Sequence, residues 1–185
     1  LNPLLFMVLD RWQLREDARV AAKAPPEPDV VPLDIGGHAI VVGYGRVGSQ
    51  LAQLLQERGV PLVVIEEDAD RVAQARARGL PTVRGNVANR QVMLEAAPAR
   101  ANLAIFAMPQ ALEAGEAVER LKAINPAISV LARAHSEAQV RHLLEHGADA
   151  AVLAERELAF SLADMVMATP PYRPAQAKPT PAPSL

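Results

Sequence analysis

Three glycines in Gly43-Tyr44-Gly45-Arg46-Val47-Gly48 have the spacing of a turn that brings backbone against a phosphate. The apolar run Ala39–Val42 precedes them and an amphipathic stretch follows, which is the context the pattern needs to carry meaning. Gly43 permits the tight turn, Gly45 lets the backbone approach a phosphate, and Gly48 lets the next helix pack close to the strand. That helix presents its first N–H groups and a partial positive charge to the anion. An acid, Glu66, ends the next apolar run about 20 residues on, where it would accept hydrogen bonds from ribose hydroxyls. A carboxylate there repels a 2′-phosphate, so the expected ligands are NAD, AMP, ADP or ATP rather than NADP.

Ligands of parallel sheets sit beyond the carboxyl ends of the strands, so other strand ends should line the same crevice. Arg84-Gly85-Asn86-Val87-Ala88 follows the third run and offers an amide side chain and backbone N–H groups to an adenine edge. Ala107-Met108-Pro109 follows the fourth, either as apolar surface for one face of a base or as ordinary loop packing. Glu113 begins the next helix; it reaches a ribose or the adenine amine, or it is a solvated carboxylate. Arg46, inside the turn, is placed to pair with a terminal phosphate. Arg133, two residues before His135, ends the fifth run as a second anion contact, a subunit contact or a surface charge. Glu67 and Asp68 extend the acidic end of the second run. Glu67 is grouped with the ribose site, although both also suit the start of a helix.

These residues need strands that end at one edge and helices that return the chain. Apolar runs at Ala39–Val42, Leu62–Ile65, Thr82–Val83, Leu103–Ala107, Ile128–Ala132 and Ala150–Leu153 predict strands buried on both faces. Helices are predicted over 47–58, 69–78, 89–97, 111–124, 136–146 and 155–168, with Gly59, Gly79 and Gly147 as left-handed caps. The alternation implies an α/β fold: a Rossmann-like, doubly wound parallel sheet of six strands in the order 3-2-1-4-5-6.

Composition narrows the function. The chain has 185 residues, room for one well-buried domain, and its net charge of −2 with interspersed signs excludes nucleic acid as a partner. With no cysteine, disulfides, thiolate catalysis and Cys-type zinc sites are out. His142 and His146 have helical spacing but no HExxH motif, and read as two solvated histidines on a helix face.

The chain begins on Leu, as a piece of a longer protein would. Its opening Leu1–Leu9 is apolar but only about half the length of a membrane span. Residues 1–12 are therefore either a helix that packs or frays, or the cut end of a transmembrane helix, with Asp10-Arg11-Trp12 at the interface. Residues 13–36 read as a linker around its prolines. The folded unit is expected at 37–168, and 169–185 as a disordered, Pro-rich tail.

With GYGRVG at 43–48, VVIEED at 63–68, RGN at 84–86, ARAH at 132–135 and GAD at 147–149, the chain resembles the RCK/KTN domain of TrkA-N type, the regulator of potassium conductance. It looks most like the version fused behind monovalent cation:proton antiporters of the potassium-efflux type. The resemblance implies a regulatory domain on the cytoplasmic face of the inner membrane, joined to its own N-terminal antiporter domain. It also implies a homodimer through the last helix, which crosses to a neighbour, and shifts residues 1–12 towards a cut membrane segment. Two departures stand out: Asn86 replaces a frequent Asp, and the Pro-rich tail replaces the second subdomain of channel regulators. The function expected is a non-enzymatic sensor of an adenine nucleotide (AMP, NAD or ATP) that gates ion transport. The alternatives are an NAD-dependent oxidoreductase, which needs an acid–base group and a substrate site, and a free-standing potassium-uptake subunit.

Overall fold

A computed structural model describes residues 31–32 and 34–169. The readings of residues 1–12, of most of the linker and of the tail beyond Thr169 lie outside the described residues. Strands and helices alternate as β1 (Ala39–Val42), α1 (Arg46–Glu57), β2 (Leu62–Glu66), α2 (Ala69–Ala77), β3 (Thr82–Arg84) and α3 (Arg90–Glu95). A 3-10 turn at Pro98–Arg100 leads to β4 (Leu103–Phe106), α4 (Ala111–Ile124), β5 (Ser129–Ala134), α5 (Glu137–Glu145), β6 (Ala150–Leu153) and α6 (Ala154–Ala168). The six strands are parallel and lie in the order β3-β2-β1-β4-β5-β6, the doubly wound arrangement expected.

The helix ends follow from the residues that flank them. Asp68, Asn89 and Ser136 cap α2, α3 and α5, each side chain accepting a backbone N–H of the first turn. Gly59, Gly79 and Gly147 leave α1, α2 and α5 with φ of +72°, +74° and +98°. The left-handed stops expected at these positions are present.

Register then sets the site. Val42 lies beside Ile65 on one side and Phe106 on the other. Gly43, Glu66 and Ala107 therefore leave the sheet at the same level.

Two clusters form the core. Ile40, Val42, Val63, Ile65, Phe106 and Val130 face α3, α4 and α5. Ala39, Val41, Leu62 and Val64 face Ala52 of α1 and Ala75 of α2. β1 and β2 are buried along their whole length, as predicted. Each buried Val or Ile contributes about 1.5–3 kcal/mol.

The outer strands correct that prediction. Ser129, Leu131, Ala150 and Val152 are exposed, so β5 and β6 are covered on one face only. Right-handed crossovers are the reason. The path β1-β2-β3 runs one way and places α1 and α2 on one face, whereas β4-β5-β6 runs back and places α4 and α5 on the other. Nothing among the described residues covers β5 and β6 on the α1/α2 face.

The histidine reading is also corrected. His142 is half-buried, its ring centroid 4.0 Å from that of His146, and its Nε2 is buried with no hydrogen bond. A Cβ at Gly115 would meet that nitrogen at 2.5 Å, so α4 gives up a side chain to admit the ring. Among the described residues no helix is long and apolar enough to cross a membrane.

Candidate functional site

The carboxyl ends of β1 to β5 open into a cleft of about 920 Å³. The glycine turn forms its floor. Gly43 has φ of +93°, and a Cβ there would press on the Met108 backbone N at 3.2 Å. Gly45, Arg46 and Val47 follow along the cleft wall. Gly45 is the N-cap of α1 and, unlike the caps of α2, α3 and α5, supplies no side-chain acceptor. The first N–H groups of α1 are thus left without a side-chain cap where the helix meets the cleft.

Tyr44 and Gly48 do not line the cleft. The Tyr44 ring is buried in the α1/α2 core, and Gly48 lies beneath the turn. Their contribution is to shape the floor.

Glu66 is buried and multiply bonded. Its Oε2 accepts the Tyr44 N–H, and its Oε1 accepts the N–H groups of Glu67 and Asp68 at 2.9 Å each. The carboxylate therefore ties the glycine turn to the β2–α2 connection. Arg71, on the first turn of α2, brings Nη1 to 3.9 Å from Glu66 Oε1. Beside it, the Asn86 Oδ1 accepts the Ala88 N–H at 2.7 Å while its Nδ2 donates to Glu67 at 3.5 Å. Gly85 donates to the Glu66 carbonyl oxygen at 2.9 Å, so Gly85, Asn86 and Val87 close the β3 side of the cleft.

Ala107, Met108, Pro109, Gln110 and the exposed Glu113 form the wall beyond β4, opposite Asn86. Arg133 and His135 stand at the end of β5. The Arg133 Nε is buried without a hydrogen bond. His135 Nδ1 lies 3.1 Å from Glu155 Oε1 in the first turn of α6. That hydrogen bond, ahead of one from its own backbone N–H, holds the Glu155 carboxyl below the usual carboxylate range. Acids thus gather at the end of β2, and cations belong to the turn, to α2 and to β5.

Sequence reasoning missed Arg71 and Gln110 and gave His135 no part in the site. Arg71 stands one turn after Asp68, but only the placement of α2 aims it at the glycine turn. His135 gains its partner from a residue 20 positions away, which no local spacing reveals.

The profile of the TrkA-N domain matches residues 39–154, the span from β1 to the start of α6. The chain belongs to the TrkA-N domain family. This TrkA-N domain is 40% identical over 174 residues to the Escherichia coli (strain K12) protein YbaL, whose name assigns it to cation/proton antiport; the match covers 92% of this chain and 31% of YbaL. It is 32% identical over 162 residues to the chloroplastic K(+) efflux antiporter 1 of Arabidopsis thaliana, covering 88% of this chain and 13% of that protein. The chain therefore spans less than a third of either relative.

Among solved structures, the crystal structure of the TrkA-N domain of the Escherichia coli inner membrane protein ybaL superposes with a TM-score of 0.69 at 42% identity, covering 72% of this chain and 99% of that one. The Kef C-terminal domain of Shewanella denitrificans, in AMP-bound form, has the same fold with a TM-score of 0.62 at 21% identity, covering 72% of this chain and 82% of that one.

Proposed function

We propose that this TrkA-N domain binds an adenine nucleotide (AMP, NAD or ATP) in the cleft and thereby regulates a cation:proton antiporter to which it is joined, without catalysing a reaction. The observation that carries this reading is the uncapped start of α1 at a glycine turn already fixed by Glu66. Anions are the natural caps of such a helix end. Glu66 and Glu67 stand where ribose hydroxyls would fall, Arg46 and Arg133 where phosphates would, and Met108 opposite Asn86 where a base would lie between them. The AMP-bound state of the Shewanella relative supports this reading.

Attachment to a membrane domain rests on the antiporter names of longer relatives. In that arrangement the domain stands at the cytoplasmic face of the inner membrane. A homodimer through α6 is supported by its exposure. None of its residues is buried, and Leu158, Phe160, Leu162, Met165, Val166 and Met167 are each more than half exposed. So wide an apolar surface on one helix marks an interaction site, and the uncovered face of β5 and β6 offers further area. The non-catalytic part of the proposal is supported by the antiporter names of the relatives; among the described residues, His135 is the one histidine lining the cleft, and Glu155 is its partner.

A thermal-shift panel of AMP, ADP, ATP, NAD⁺, NADH and NADPH tests the reading. A ligand at ~100 times its Kd adds about 2.7 kcal/mol of stability. Stabilisation by adenine nucleotides over NADPH, with NADH unconsumed, is the expected result; no shift with any of them defeats it.

A further inference from the structure

The two walls between which a base would lie come from distant parts of the chain. One is the loop between β3 and α3, with Gly85, Asn86 and Val87 on the cleft; the other is Ala107–Gln110 and the first turn of α4. The loop is tied to the sheet at its start, where the Gly85 N–H meets the Glu66 carbonyl oxygen at 2.9 Å. Beyond that point it closes on itself. Asn86 Oδ1 accepts the Ala88 N–H at 2.7 Å, and the Asn86 carbonyl oxygen accepts the Asn89 N–H at 2.9 Å. Asn86 Nδ2 reaches back to Glu67, on the β2 side. These bonds set the shape of the turn, but none of them fixes its distance from the opposite wall.

A hydrogen bond from α4 does. Arg120 Nη1 donates to the Ala88 carbonyl oxygen, 32 positions back along the chain. Its Nη2 donates to Glu116 Oε2 at 3.3 Å, so the planar fork is held between its own helix and the loop. Glu113, Glu116 and Arg120 have i, i+3 and i+7 spacing and share one face of α4. That face begins at the cleft, which Glu113 lines, and ends at Arg120, which does not line it. The helix that carries one wall thus grips the other from outside the cleft.

We propose that Arg120 is a positioning residue for the base: without touching the ligand, it holds the Asn86–Val87 wall against α4 at the separation a nucleobase fills. The inference rests on the nucleotide reading above and adds to it the residue that sets how firmly the base is gripped. The physical reason is preorganisation. A loop already held in place loses less freedom when a ligand enters than one that must first be ordered.

Arg120 is exposed, so Arg120→Met, which removes the donors and keeps the aliphatic stem, is expected to fold normally and to keep its Tm. AMP and ribose 5-phosphate, which lacks the base, are titrated by NMR into the wild-type 185-residue chain and this variant. Amide hydrogen exchange of Ala88 and Asn89 is followed in both proteins without ligand. The expected result is faster exchange at these two residues in the variant, AMP affinity lowered several-fold and ribose 5-phosphate affinity unchanged. A purely structural role would weaken both ligands alike. Equal losses for the two ligands, unchanged AMP affinity, or unchanged exchange at Ala88 and Asn89 each overturns the proposal while leaving nucleotide binding intact. If the wild type itself binds no AMP, the nucleotide reading fails and this inference falls with it.

Discussion

A Cβ placed on Gly48 would lie 1.8 Å from the carbonyl oxygen of Gly43. No side-chain rearrangement relieves that contact, because both partners are backbone. The third glycine of the motif is thus fixed by the closeness of α1 to the end of β1, and the first by its φ of +93°. The middle one is different: Gly45 has a negative φ, and the nearest atom to its Cβ position is Arg71 Nη1 at 3.9 Å.

The two positions should separate experimentally. Gly48→Ala is expected to cost about 3 kcal/mol of stability, lowering Tm by roughly 10 °C. Gly45→Ala should keep its Tm and lose at least about tenfold in nucleotide affinity, or 1.4 kcal/mol. Paired melting curves and titrations check both; unchanged affinity in Gly45→Ala removes the phosphate role of the turn.

Glu66 holds the glycine turn and, on the proposed reading, a ribose, and one substitution tests both. Three backbone N–H groups converge on its carboxylate, and Gln offers only one acceptor oxygen in place of two. Glu66→Gln should therefore lose about 1–3 kcal/mol of stability even without ligand, and AMP and NAD affinity should fall in parallel. Denaturant unfolding of the free protein reads the first effect and calorimetry the second. A variant as stable as the wild type would show that the carboxylate does not hold the turn.

Asp149 supplies a pH-dependent clamp away from the cleft. Its carboxylate accepts the Lys122 ammonium at 2.8 Å and the Val130 N–H at 2.6 Å, joining α4, β5 and the turn into β6. The Lys122 hydrogen bond first, and that of Val130 second, hold its carboxyl below the ordinary aspartate value of 3.8. A depressed folded-state pKa means that the stabilisation is complete above the unfolded value and is lost as pH falls through the folded one. The side chain is half exposed, so screening limits the effect to about 1 kcal/mol. Asp149→Ala should melt below the wild type at neutral pH, and the two curves should converge below the aspartate range. A gap that persists unchanged into acid would assign the loss to packing instead.

The proposed homodimer through α6 is tested by charge. Leu158, Leu162 and Met165 follow helical spacing and are all exposed. Leu162→Asp is expected to convert a dimer into a monomer by light scattering while leaving the melting of the Rossmann body in place. A wild-type chain that is already monomeric at micromolar concentration would exclude this interface.

The sequence alone determined the alternation of elements, because short apolar runs, capping residues and glycine stops are local signals. It also determined the floor of the cleft, since GxGxxG constrains consecutive backbone and the acid at Glu66 falls at a fixed distance along one βαβ unit. Only the tertiary structure decided which of these residues face the cleft. It turned Tyr44 into the core, where its backbone N–H serves Glu66, and aimed Arg71 at the glycine turn. It also left β5 and β6 open on one face, a consequence of the sheet's change of winding direction rather than of any residue in those strands. The pairing of His135 with Glu155 belongs to the same class. Spacing along a chain reports what neighbouring residues can do, whereas a contact across 20 positions depends on where β5 and α6 come to rest.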